Sequence, residues 1–469
     1  MSERLRSVGL DVGTTSTQLV LSELRVENQA GSFAVPELEI AERKILYKSP
    51  VYFTPLRDES HVDGAAIREI VVREYARAGI RREDVDTGAI IITGETSRKE
   101  NARAVLSALS DFAGEFVVAT AGPDLESVLA ARGSGAVDDS EDTGQTVLHM
   151  DIGGGTSNLA LIRDGKITQT GCLNVGGRLL KFDKNGTVTY VSPVLREICP
   201  LKAGDRPTEA QVEDVAAVLV QALEMAAGLR QRTPLLEQLW TREHGAVWDS
   251  APADAVISFS GGVAECIAQD VSWLEYGDMG PVLGRVIRGS RLCQGSYRIG
   301  EDAIRATVIG AGCHSAQLSG STIFCQNVAL PLKNLPVVRI PEGTGEGLTD
   351  AICREIRRQE STAVIALPGI ASPGYAQVAA LAEEIAAVRA AGPWIICLEQ
   401  DMAKALGQAL ALRLGRDAQI LCIDRVRLPE GSYLDVGQPV GPALPVVVKT
   451  IIFAGERIAA PVTSVTGTQ

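Results

Sequence analysis

At 469 residues the chain is too long for one ordinary domain, and domains of roughly 100 to 200 residues allow two to four of them. Hydrophobic residues make up 45% and charged residues 22%, a soluble globular composition that argues against disorder, and no run of about 18 apolar residues suggests a membrane span. A net charge of -13 repels nucleic acid and anionic lipid at long range, so neither is expected as a partner.

The opening stretch MSERLRSVGLDVG enters a strand at once and leaves no room for the apolar core of a signal peptide, so the chain reads as cytosolic. In SVGLDVGTTSTQLVLSEL, Val8, Leu10 and Val12 alternate with small or polar residues. Gly13 to Ser16 then cap a hairpin whose return strand carries Leu19 and Leu21. GAIIITGE, Gly88 to Glu95, reads as a buried strand ending on an acid, and EFVVATAGPDLESVLAARGSGA as a strand followed by a helix. The acidic AVDDSEDTGQ reads as a crossover.

The order of the first hairpin then recurs. Leu148, Met150 and Ile152 alternate around Asp151, Gly153 to Ser157 turn the chain, and Asp164-Gly165 supplies a second tight turn before KITQTGCL. Two acid-plus-glycine hairpins one domain length apart point to a duplication. A long helix is expected from near Thr208, and AVISFSGGVAECIAQ gives a strand, a glycine pair and a helix. ATVIGAGCHSAQL reads as a helix with its glycines at a close crossing. From Ser319 strands and helices alternate as a separate α/β unit, with a loose tail from Ala454. The nine cysteines are scattered and never spaced C-x-x-C, which favours reduced thiols over a metal site.

Backbone N–H groups bind phosphate without a competing side chain, and glycine is needed where the chain comes close. One phosphate is expected on Gly13, Thr14 and Thr15, and a second on Gly153, Gly154, Gly155, Thr156 and Ser157. Asp11 and Asp151, each at a strand end, would face a shared Mg²⁺. Glu95 either orients a water or caps the helix that follows; with Asp11 and Asp151 it completes the candidate catalytic set. Ser260, Gly261 and Gly262 would let the backbone lie flat beside adenine or ribose, and Gly310 joins the nucleotide set as part of a Gly-x-Gly helix. A Walker loop is absent, since Gly165-Lys166 is followed by Ile167, and a dinucleotide fold fits poorly because the glycine loops enter strands.

The series LDVGTTST, IIITGET, MDIGGGTSN, FSGGVAE and TVIGAG resembles the five nucleotide-site motifs of the actin, heat-shock chaperone and sugar-kinase superfamily. That resemblance implies an α/β fold: two duplicated actin-like, ribonuclease-H-like ATPase halves, residues 1–145 and 146–318, around a nucleotide cleft, with a C-terminal α/β domain at 319–469. It implies ATP and Mg²⁺ as cofactors. A narrower resemblance runs over nearly the whole chain through SPVYFTPL, DTGAIIITGETSRKENAR, FVVATAGPDLESVLAARGSGA, CLNVGGRLL, RATVIGAGCHSAQLSGSTI, LPLKNLPV and LDVGQPVGPALPVVVKT. These segments resemble the ethanolamine ammonia-lyase reactivating factor family.

Members of that family are ATP-dependent chaperones that release damaged cobalamin from the inactivated lyase, in the cytoplasm and often beside a bacterial microcompartment. The resemblance implies ethanolamine ammonia-lyase as partner. Direct cobalamin binding by this chain is not expected, because the lower-ligand motif D-x-H-x-x-G is missing. A small-molecule kinase and a filament-forming ATPase of the same superfamily are the alternatives.

Overall fold

The computed structural model describes residues 3–13, 16–28, 38–58, 61–93, 117–120, 123–241, 251–252, 254–314, 317–318, 323–340, 347–357, 362–388, 392–426, 428, 432–437, 439 and 444–450. Thr14, Thr15, Glu95 and the tail from Ala454 lie outside the described residues.

The first sheet is built from β1 (Glu3–Val12), β2 (Ser16–Asn28) and β3 (Leu38–Lys48) in meander, a short β4 (Tyr52–Phe53) on the start of β2, and, after helix α1 (Gly64–Ala78), β5 (Thr87–Ile92) and β6 (Val117–Thr120). The strand order is β3-β2-β1-β5-β6, and within it only β2 runs against the rest. Alternation of Val8, Leu10 and Val12 puts these side chains into one core with Ile67, Val71 and Tyr75 of α1. Asp63 starts that helix by accepting the Ala66 N–H at 3.1 Å.

Helices α2 (Pro123–Gly133) and α3 (Ala136–Thr143) lead to the second sheet. The acidic stretch read as a crossover does lie between the two sheets, and it is helical for a local reason: Asp138 and Asp139 sit in its first turn, where carboxylates favour a helix N-terminus. β7 (Val147–Ile152), β8 (Ser157–Arg163) and β9 (Lys166–Leu173) form the second meander, with Asp164 and Gly165 both at positive φ in the tight turn.

A ribbon of β10 (Leu180–Phe182) and β11 (Val188–Val191) follows, then α4 (Glu209–Ala226), capped by Thr208 as expected, and α5 (Pro234–Leu239). β12 (Val256–Ser260), α6 (Gly262–Ala268), α7 (Gly280–Gly289), β13 (Tyr297–Ile299) and α8 (Ala306–His314) complete this part. Its sheet has the order β13-β12-β7-β8-β9, again with a single reversed strand, so the second sheet repeats the first strand for strand.

The two halves exchange helices. α2 follows the first sheet but packs on β7, β8 and β9; α8 follows the second sheet but packs on β1, β2 and β5. Glycines make this possible. A Cβ on Gly133 would lie 1.9 Å from the Ala306 carbonyl oxygen, and one on Gly310 would lie 2.0 Å from that of Leu129. The expected close crossing is therefore present, between α8 and α2.

The third sheet holds β14 (Gln317–Leu318), β15 (Phe324–Gln326), β16 (Leu332–Arg339), β17 (Val364–Leu367), β18 (Trp394–Leu398), β19 (Ile420–Ile423), β20 (Ser432–Val436) and β21 (Pro445–Thr450). Its order is β14-β21-β20-β16-β17-β18-β19-β15, with β16 to β19 parallel. Helices α9 (Leu348–Ile356), α10 (Tyr375–Ala387) and α11 (Ala403–Leu414) are its crossovers. It has its own cores and meets the first half where β14 approaches β3 and β21 approaches β6.

Candidate functional site

Asp11 and Asp151 occupy the same position in the two central strands, one residue before the end of β1 and of β7. The turn after each is closed the same way. Gly13 N–H donates to the Ser16 carbonyl at 2.8 Å, and Gly153 N–H to the Thr156 carbonyl at 2.9 Å. These turns face each other across a cavity of about 390 Å³ whose walls include Asp11, Gly13, Asp151, Gly153, Gly154 and Gly155. Its volume lies within the range of small-molecule sites.

Both carboxyls are buried and locally held. Thr93 Oγ1 donates to Asp11 Oδ1 at 2.9 Å, and Ser260 Oγ to Asp151 Oδ1 at 2.5 Å. Burial pushes Asp11 up to about 7, against the pull of the Thr93 bond and with a further push from the charge of Asp151. Burial likewise raises Asp151 to about 6, opposed by Ser260 and Thr307. Two carboxyls that resist ionisation while facing one cavity are a donor set that a divalent cation would relieve.

Two further side chains repeat the symmetry. Gln18 pairs across its hairpin with Asp11, and Asn158 pairs across its hairpin with Asp151; both line the cavity. The amide oxygens of both are buried without a hydrogen-bond partner among the described residues. Gln18 Nε2 is spent on the Ile304 carbonyl at 3.0 Å, and Asn158 Nδ2 on Glu126 Oε2 at 2.8 Å. Each half thus places an amide directly opposite its carboxyl in the hairpin, the same arrangement twice. Sequence reasoning missed this pair, although the signal was there: each lies the same distance beyond its repeated acid.

At the other end of the cavity, Gly261 has φ +87° and a Cβ on it would lie 2.3 Å from the Ile152 carbonyl oxygen, so only glycine fits the junction between β12 and β7. Gly262 starts α6 with open space where its Cβ would be, and the cavity wall continues through Val263, Glu265 and Tyr276. Ser260 reaches no cavity surface; it works from behind, holding Asp151. Gly310 is not among the residues that line this cavity; its missing Cβ faces the Leu129 backbone in the helix crossing.

Behind Asp151 stands a buried polar chain. His149 Nε2 lies 2.9 Å from Ser260 Oγ, and Nδ1 lies 3.1 Å from Ser258 Oγ. Since the Ser260 hydroxyl proton goes to Asp151, Ser260 can only accept from His149, which fixes the proton on Nε2 and leaves Nδ1 to accept from Ser258. Burial alone drives the imidazole down to about 3, so it is neutral. Among the described residues no group of three or more His, Cys, Asp or Glu could by itself hold a metal, and no helix is long and apolar enough to cross a membrane.

A sheet of order 3-2-1-4-5 with its second strand reversed, present twice, with the two first hairpins facing across a cleft, defines the duplicated actin-like fold. The chain belongs to the EutA family, whose model, "Ethanolamine utilisation protein EutA", matches residues 3–454. It is 39% identical to the ethanolamine ammonia-lyase reactivase EutA of Salmonella typhimurium, covering 96% of this chain and 99% of that protein. It is 38% identical to the reactivase of the same name from Escherichia coli, over the same shares. Among solved structures, the ethanolamine utilization protein EutJ of Carboxydothermus hydrogenoformans aligns with a TM-score of 0.33 and 18% identity, over 66% of this chain and 89% of that one.

Proposed function

We propose that this protein is an ATP-dependent reactivating factor of ethanolamine ammonia-lyase, releasing damaged cobalamin so that intact adenosylcobalamin can rebind. The observation that carries the nucleotide part is the pair of symmetric hairpins, each placing a carboxyl, a glycine turn and a paired amide residue on the wall of one cavity. The client is supported by near-full-length similarity to two reactivases.

In this reading the N–H groups of the two glycine turns hold the phosphates, and Asp11 and Asp151 hold Mg²⁺ directly or through its waters. Bound Mg²⁺ would supply charge neutralisation at the transferring phosphoryl group. Ser260, oriented by His149, fixes the rotamer of Asp151. Glu95 remains the proposed water-orienting residue. Hydrolysis releases the two halves from a common ligand, and the third sheet carries the movement to the lyase. The expected setting is the cytoplasm, beside or within a microcompartment.

The test is reactivation itself. Ethanolamine ammonia-lyase blocked with a cobalamin lacking the adenosyl group is mixed with the protein, Mg²⁺ and fresh adenosylcobalamin, with and without ATP. Deaminase activity returns only with ATP, and Asp11→Asn abolishes both the recovery and the ATP·Mg²⁺-dependent rise in Tm. Recovery without ATP, or unchanged recovery by Asp11→Asn, refutes the reading.

A further inference from the structure

Arg178 is fastened to the second phosphate turn. Its N–H donates to the Gly154 carbonyl at 2.6 Å, and the Gly177 N–H donates to that of Gly153 at 3.0 Å. The approach is close enough that a Cβ on Gly176 would lie 2.4 Å from the Gly154 carbonyl oxygen. From there the guanidinium enters the cavity. Its Nε lies 3.5 Å from Asp278 Oδ2 and, though buried, makes no hydrogen bond among the described residues. The other oxygen of Asp278 is committed to the Gly280 N–H at 2.9 Å, at the start of α7, so the carboxylate is fixed in place.

The guanidinium also reaches across the cleft, its central carbon 5.9 Å from the centre of the Phe53 ring. Phe53 is 75% exposed and belongs to the opposite half. β4 pairs it with Ser16, the residue that closes the first phosphate turn, and Thr54 Oγ1 donates to the Gly13 carbonyl at 2.7 Å. Tyr52 pins the strand from the other side by donating to buried Glu74 at 2.5 Å. Each end of the Arg178–Phe53 contact is therefore anchored to the phosphate turn of its own half.

A guanidinium has five donors in a planar fork that matches phosphate oxygens, and among the described residues it has only one carboxylate at long range and one distant ring. That is an under-used cation fastened beside the second phosphate turn. Resting on the nucleotide reading above, we infer that Arg178 is the reader of the terminal phosphate: with a triphosphate between the turns its guanidinium binds the terminal phosphoryl oxygens and Phe53 closes over it, whereas with a diphosphate it stays with Asp278. The contact thereby makes closure depend on the third phosphate.

The experiment is calorimetric titration of the full chain with ADP and with a non-hydrolysable ATP analogue, both with Mg²⁺, on the wild type, Arg178→Met, Arg178→Lys and Phe53→Ala. A charge-assisted contact to phosphate predicts that Arg178→Met loses about 10- to 100-fold in affinity for the triphosphate and about two-fold or less for ADP, with Arg178→Lys between. Phe53→Ala, an exposed position that the fold does not need, weakens the triphosphate several-fold, roughly the scale of an exposed cation–π contact, and leaves ADP unchanged. Equal losses for both nucleotides, or none, overturn the inference; if Arg178→Met does not fold, Phe53→Ala decides it. A wild type that binds neither nucleotide overturns the nucleotide site itself.

Discussion

His149 shows what a single residue in this site costs. It is a fully buried residue of β7 hydrogen-bonded to Ser134, Ser258 and Ser260, and its value of about 3 lies below the ordinary 6.5 because burial disfavours the cation. The unfolded chain therefore takes up a proton below pH 6.5 that the folded chain refuses until about 3. Stability is intact above 6.5 and falls as the pH drops through that window, by roughly 1.4 kcal/mol per pH unit from this residue. Urea midpoints at pH 7, 6 and 5 should fall more steeply for wild type than for His149→Gln; parallel slopes would mean that the imidazole is not held neutral. The acids and glycines of the site were legible in the sequence because each repeats at a fixed place in a hairpin. Gln18 and Asn158 repeat as faithfully, but an amide is a common strand residue, and only the register that sets each opposite its acid gives it a purpose. Arg178 carried no such signal, since what makes it notable is a turn and an aromatic ring distant from it in the chain.

Among the elements, strands and hairpins were the easiest to read, because alternation and turn chemistry are local. The acidic crossover was legible as a connection but not as a helix, because its helicity rests on acids that load the first turn of α3. Helix exchange is not local at all. GAG in α8 announces a close crossing, and the sequence does not say with what; the answer, α2, comes from before the second sheet. Gly310→Ala tests how much this crossing carries. Its new methyl group would meet backbone, at 2.0 Å from the Leu129 oxygen, and backbone cannot rotate away. Overpacking against an unyielding neighbour costs typically about 1–3 kcal/mol, so the urea midpoint should drop while Mg²⁺ and nucleotide still bind the fraction that folds. A variant of wild-type stability would show that α2 and α8 slide apart freely.

At the scale of the molecule, the proposed mechanism would use the exchanged helices as a hinge and the two glycine turns as its jaws. α2 lies on the second sheet and α8 on the first, so the halves are joined at their base by a packed glycine crossing, while at the cleft they meet through contacts such as Arg178 with Phe53. A hinge tight at one end and lightly closed at the other has an equilibrium that a ligand can shift. Driving it from about 1:99 to 99:1 requires the ligand to favour the closed form by roughly 5.5 kcal/mol. Two turns, two carboxyls and one arginine gripping a single triphosphate are enough groups to supply that, provided that the terminal phosphate adds contacts to both halves. Small-angle scattering should therefore show a smaller radius of gyration with the ATP analogue and Mg²⁺ than without ligand, with ADP closer to the ligand-free curve. Asp11→Asn should leave the curves superimposed. Three identical curves from a wild type shown to bind both nucleotides would mean that the cleft is rigid, and the coupling to the lyase would then have to run through some route other than the closing of the two halves.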